Sequence, residues 1–313
     1  MEKIVNYCML PDINTLLKPR PKKYRNLVKH IQGDLAFHDT DSTSLTQEDL
    51  FDDLTSSRGT SRFLGVFSVK GIEFILRKFG FYDHIKSVGL PKPIIKLDTN
   101  DPFKHRIQIV HKSSQGECIS GELVMRRSTF KTPSLGDKKY PPADLIVVEW
   151  FLLQNPLKKF SRRRSQLPGQ EFPGLGFAST IFEIFYWMTK RIGADGVVLV
   201  PNYLHTGIFY GRRFVFINPK KQGIITYLDN LRNPILTLNQ LSWACAEGQL
   251  INKKTNSVFL WKPSPMVLPV SRPAKEYFGS EYYINKVKSN MDLVNFKINK
   301  GYKKQFDSNW KQI

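Results

Sequence analysis

Apolar positions along the chain follow two periods. Val69, Ile72, Phe74, Ile75 and Phe79 recur at helical spacing, so Ser68–Phe79 reads as an amphipathic helix stopped by Gly80. A shorter helix is predicted at Tyr82–Val88, closed by Gly89 with Pro91 beyond. Alternation and β-branching then mark two strands, His105–His111 and Cys118–Arg126, and the linker Ser113–Gly116 suits a hairpin. Asp144–Leu153 is a nearly continuous apolar run, the pattern of a buried central strand. The basic run Lys158–Arg164 and the glycine-bearing segment Leu167–Phe177 come next. A helix is expected from about Leu175 to Ile192, with a broad apolar face of Phe177, Ile181, Phe182, Ile184, Phe185, Met188 and Ile192, and Gly193 at its end. Val197–Val200 reads as a buried strand, Tyr203–Arg212 as a short helix and Phe214–Ile217 as a strand.

The order strand, glycine loop, helix, strand, helix, strand implies an α/β (α+β) fold with at least one crossover connection: a mixed central sheet flanked by helices. Beyond Pro219 the pattern weakens, with a helix at Leu236–Glu247 and a strand at Val258–Trp261. From Ser271 onward lysines and aromatics interleave in a polar background. Residues 1–61 read as an irregular arm, residues 62–220 as the core and residues 221–313 as a C-terminal extension. The arm carries the basic, proline-containing Leu17–Arg25. Asp39–Ser57 is acidic, with a short helix expected near Leu45–Leu54, capped by Ser44 or Thr46. That block reads either as a mobile surface segment or as a mask over a basic groove.

Composition sharpens this picture. The 313 residues are 41% apolar and 12% aromatic, too rich for a wholly disordered chain. Lys and Arg number 47 against 27 Asp and Glu, a net charge of +20 that favours anionic partners without choosing among them. Cys8, Cys118 and Cys245 form no CxxC pair, which argues against a disulfide scaffold or a cysteine zinc site and fits a cytoplasmic protein. Neither a signal peptide nor a membrane-spanning helix is expected.

Pro173-Gly174-Leu175-Gly176, between a buried strand and a long helix, has the form of a loop that can bring backbone amides to an anion. Arg162, Arg163 and Arg164, just before it, can add counter-charge. The segment fits neither GxGxxG nor a P-loop. The stretch Asp144–Pro219 resembles the GNAT superfamily of N-acyltransferases, in which a central strand leads into a [Q/R]-x-x-G-x-[G/A] loop. In that family a helix, a strand, a helix bearing a tyrosine and a final strand follow. Gly174-Leu175-Gly176 matches the loop core, Val197–Val200 the next strand, and Phe209-Tyr210 with Phe214 the terminal helix and strand. Glu171 stands where the family carries Gln or Arg. Leu167–Gly176 and Pro265–Ser271 more loosely resemble uncharacterised bacterial proteins with a GNAT-like region. The resemblance implies a GNAT-like core and transfer of an acyl group, acetyl above all, from acetyl-CoA or another acyl-CoA to an amine. Amides of Gly174, Leu175, Gly176, Phe177 and Ala178 would hold the coenzyme pyrophosphate.

Amine acylation needs a base for the ammonium and an acid for the leaving thiolate. Glu149, inside the apolar run, is the candidate base, because desolvation there would raise its pKa. The alternative is a carboxylate facing solvent or paired with Arg126 or Arg127. Tyr210 is the candidate acid, and His205 a further acid–base group. His105 and His111 are evenly spaced on a predicted strand, but with no further ligand in view no metal site is expected. Two other functions remain open: a GNAT-like fold that binds without catalysing, and a nucleic-acid partner. The latter would use Lys158–Arg164 with Phe160, and the cations and aromatics of Tyr282–Lys304, including Tyr283, Phe296 and Tyr302.

Overall fold

A computed structural model describes residues 23–29, 62–113, 116–131, 141–161, 164–232 and 236–302. In chain order these form α1 (23–29), α2 (Val69–Lys78), α3 (Phe81–Ser87), β1 (Ile94–Asp98), β2 (His105–Ser113), β3 (Gly116–Phe130) and β4 (Ala143–Leu153). Then come α4 (Ala178–Ile192), β5 (Gly196–Leu199), α5 (Leu204–Tyr210), β6 (Val215–Phe216), α6 (Pro219–Leu231) and α7 (Leu238–Ala246). The C-terminal part adds β7 (Leu250–Asn252), β8 (Ser257–Val258), β9 (Met266–Pro269), α8 (Arg272–Phe278), α9 (Glu281–Asp292) and β10 (Phe296–Ile298).

Seven strands make one mixed sheet in the order β1-β2-β3-β4-β5-β9-β6, and β10-β7-β8 make a small second sheet. Within the large sheet only β4 and β5 run parallel. The helix α4 is the crossover between them, as the sequence order requires. Strand β9, from beyond residue 220, is wedged between β5 and β6 and pairs Val267 with both Val198 and Val215. The C-terminal region therefore contributes an inner strand to the same sheet.

One face of the sheet carries the main core. Ile107, Ile109, Met125, Ile146 and Val148 pack there with Ile72 and Leu76 of α2, Ile85 of α3, and Ile181, Phe182 and Phe185 of α4. The other face is split. Around Leu145, Val198, Val215 and Val267 it is covered by Phe278, Tyr283 and Val287 of α8 and α9. Over β1–β3 it carries the alternate, polar positions, joined in ion pairs such as Lys96–Glu117 at 2.7 Å and Arg106–Glu122 at 2.9 Å. An antiparallel edge with one wet face explains the clean alternation of these strands, whereas β5 and β9 are buried throughout.

Local signals account for most ends. Ser68, Ser271 and Ser280 accept hydrogen bonds from first-turn amides of α2, α8 and α9. Asn218 caps α6 with Pro219 behind it, and Thr237 with Gln240 forms a capping box on α7. Three expectations shift. The long helix begins at Ala178, not Leu175, because Leu175 is drawn into backbone pairing with β4. The strand expected at Val258–Trp261 is only Ser257–Val258. The polar region past Ser271 folds into α8 and α9, where Tyr283 and Val287 supply a narrow apolar stripe. The acidic block Asp39–Ser57, with its expected helix at Leu45–Leu54, lies outside the described residues.

Candidate functional site

Strand β4 determines the geometry of the site. Leu145–Val148 pair in register with Gly196–Leu199 of β5, and that ladder stops at Val148. The strand nevertheless runs on to Leu153, so Glu149–Leu152 face no β5 residue. The pairing of β4 with β3 also changes here: Met125 faces Val148 while Val124 faces Trp150, which leaves Glu149 as a bulged residue. At the far end of β4 the glycine loop folds back. The Leu175 amide donates to Leu153 O (3.3 Å), and the Asn155 amide donates to Pro173 O (2.8 Å). Gln154 donates its own amide to Ser120 O of β3. Successive residues of a strand face opposite edges, so the loop sits on the β5 side. The result is a short open length of strand edge, bounded by β5 at one end and by the glycine loop at the other. Behind it lies an aromatic cluster in which Phe151 meets Phe182, Phe185 and Tyr210 at centroid distances of 5.7–6.5 Å.

The loop is held from below by residues that no sequence motif connects with it. His84 of α3 donates Nε2–H to Leu175 O at 2.8 Å and packs its ring 4.9 Å from Phe177. Buried Asn155 donates its side-chain amide to Val88 O at 3.1 Å. Both contacts cross long sequence separations, and no local motif signals them.

Above this support, Gly176 adopts φ +83°, a backbone geometry that favours glycine. Phe177 is the N-cap residue of α4 and provides no side-chain cap; no acidic residue occupies the first turn. The guanidinium of Arg164 lies over this turn, with Nη2 3.8 Å from the place a Cβ on Gly176 would take. Uncapped first-turn amides beside an exposed cation are the ingredients of an anion site. Of the expected loop residues, Gly174, Gly176, Phe177 and Ala178 lie around this turn, but Leu175 must be reassigned. Its amide is spent on Leu153 and its side chain is buried. Arg162 and Arg163 lie outside the described residues.

Glu149 does not have the desolvated environment expected of it. It receives Arg126 Nε at 2.6 Å and Lys104 Nζ at 3.2 Å. These cations, Arg126 foremost, hold its carboxyl below the usual range. The bulge turns the residue toward this charged surface rather than into the core. Tyr210 is enclosed by Phe151, Phe182 and Phe214, and burial pushes its phenol up to about 12, so it keeps its proton near neutral pH. His205 is buried, and burial pulls its imidazole down to about 4, so it is neutral near pH 7.

His105 and His111 have structural partners. His105 Nδ1 accepts from the Leu64 amide at 2.7 Å. His111 donates to Pro91 O at 2.7 Å and pairs with the Ser120 hydroxyl at 2.6 Å. Among the described residues no group of His, Cys, Asp and Glu is placed to hold a metal ion. Two aromatics expected to stack on bases are also structural: Tyr283 is fully buried with its hydroxyl donating to Phe216 O, and Phe296 is buried against Phe259 and Tyr227. Among the described residues no helix is long and apolar enough to cross a membrane. No protein-family model matches the chain, and none of the curated proteins searched matches it.

Proposed function

We propose that the chain is a GNAT-type N-acyltransferase that moves an acyl group, acetyl above all, from acyl-CoA to an amine. The observation that carries this reading is the open length of β4 between Val148, where β5 leaves it, and Leu153, where the glycine loop rejoins it. In the superfamily that the sequence resembles, pantetheine enters such a gap. The strand order agrees with the same reading: α4 links parallel β4 and β5, and α5 carries Tyr210 ahead of β6.

The residues present fit an acyl-CoA. Amides of Gly176, Phe177 and Ala178 would meet the pyrophosphate, with the Arg164 guanidinium as counter-charge. The coenzyme supplies the activated thioester. Tyr210, protonated near neutral pH, holds a proton for a departing thiolate, but burial makes it a weak acid. Glu149 is ionised and able to accept a proton from the acceptor amine, but its ion pairs make it a weak base. That observation favours a second reading, in which the fold binds acyl-CoA without turning it over.

Release of coenzyme A thiol from acetyl-CoA, followed with a thiol reagent across a panel of primary amines, tests the proposal. Activity should fall at least tenfold in Tyr210→Phe and in Glu149→Gln. Acetyl-CoA binding without thiol release for any amine leaves the second reading, and absence of both binding and release rejects both.

A further inference from the structure

A pocket of about 370 Å³ opens where the first turn of α5 meets α7. That volume falls in the usual range for small-molecule sites. Its walls include Tyr203, Leu204, Leu260 and Trp261, with His205 and Cys245 set into them. None of its lining residues carries a full charge at neutral pH.

Two features mark it as more than a packing gap. His205 is only 2% exposed, and among the described residues its Nδ1 has no hydrogen-bond partner. A buried polar atom left unsatisfied is costly, and most such atoms in native proteins meet a partner. Tyr203 also lies flat against the imidazole, with centroids 5.5 Å apart and planes 17° from parallel. The position of Tyr203 depends on Gly169, where any Cβ would fall 2.2 Å from the phenol ring, so the glycine-bearing segment is shaped around this ring.

We propose that this pocket binds an uncharged, planar aromatic molecule bearing an amide or amine, with His205 as its polar anchor and Tyr203, Leu260 and Trp261 as its apolar walls. Aromatic walls favour a flat ring. An ionised ligand would lose water and meet no counter-charge in the lining. The nearby cation, Lys221, lies 5.2 Å from the Trp261 ring centroid and donates to Lys262 O at 2.8 Å. The Ser242 hydroxyl donates to Leu238 O and keeps its oxygen lone pairs for a ligand donor. This site stands independently of the acyltransferase reading.

Titration of the full chain with benzamide by ligand-observed NMR tests the proposal, with benzoate and benzylammonium as charged controls and toluene as the apolar one. Benzamide should bind more tightly than either ion. Ala246→Trp, at an exposed lining position, should block it while leaving the melting temperature unchanged. His205→Phe should weaken benzamide about tenfold and leave toluene unchanged. Equal binding of the charged controls, or benzamide binding that survives Ala246→Trp, would overturn the proposal. Should His205→Phe fail to fold, the charge series and Ala246→Trp decide.

Discussion

Reversing the charge of Arg164 should weaken acetyl-CoA binding by an amount set by its distance from the first turn of α4. Its Nη2 lies 3.8 Å from the Cβ position of Gly176, and the side chain is exposed. A phosphate oxygen accepting from the Phe177 or Ala178 amide would sit roughly 5 Å from the guanidinium, within ordinary hydrogen-bonding reach of the turn. Two unit charges at about 5 Å in water attract by about 0.8 kcal/mol. The water value is the right one because Arg164 faces solvent. Arg164→Ala should therefore cost about fourfold in Kd at low salt, and Arg164→Glu, which turns attraction into repulsion, roughly fifteenfold. Screening over a Debye length of about 8 Å at physiological salt should cut both energies by nearly half. Isothermal titration of acetyl-CoA at low and physiological ionic strength measures both effects. If Arg164→Glu binds acetyl-CoA as tightly as the parent at low salt, the anion site is misplaced.

Three further outcomes follow from other parts of the fold. Arg126 is the main group holding Glu149 below its ordinary carboxyl range, so Arg126→Ala should move the acidic limb of the kcat/KM pH profile to higher pH; an unmoved limb excludes Glu149 as the base. A Cβ on Gly223 would lie 2.7 Å from Val287 O and 2.9 Å from the Met291 amide, both backbone atoms of α9. Gly223→Ala should thus cost about 2–3 kcal/mol by forcing α6 and α9 apart, a loss that urea unfolding would show. The His205 imidazole, with an ordinary value of 6.5, is pulled down to about 4 in the fold, so between those values the unfolded chain binds the extra proton. Stability attributable to His205 should accordingly be full above pH 6.5 and fall by about 3 kcal/mol on acidification to pH 4. Urea unfolding of the parent and His205→Phe at pH 7 and 4.5 should show the parent losing more stability than the variant; an equal loss in both excludes this linkage.

The parts of the fold legible in the sequence are those where one local pattern suffices. The apolar face from Ile181 to Met188 and the glycine at Gly193 announce α4, and the unbroken run through Ile146 and Val148 announces β4 as a central strand. Strand β9 and helices α8 and α9 were hidden for different reasons. Met266–Pro269 is too short to show a period and owes its place to the neighbours on either side, β5 and β6. In α9 only Tyr283 and Val287 are buried, so polar residues dominate the pattern although the tyrosine is wholly enclosed. At the candidate site, the sequence could mark the glycine loop, but not that Leu175 would spend its amide on β4 or that His84 would hold its carbonyl. Glu149 shows the same limit. An apolar run suggests desolvation, yet one bulge opposite Val124 and Met125 places the carboxylate beside Arg126 and Lys104.

Thermal melting with and without acetyl-CoA tests most directly whether the open edge of β4 receives an acyl-CoA. A ligand present at a hundred times its Kd stabilises the native state by about 2.7 kcal/mol. For a folded body of this size that should raise the melting temperature by roughly 5–10 °C, and desulfo or adenine-only fragments should give less. A melting temperature unchanged at millimolar acetyl-CoA would contradict the acyltransferase and binding-only readings alike.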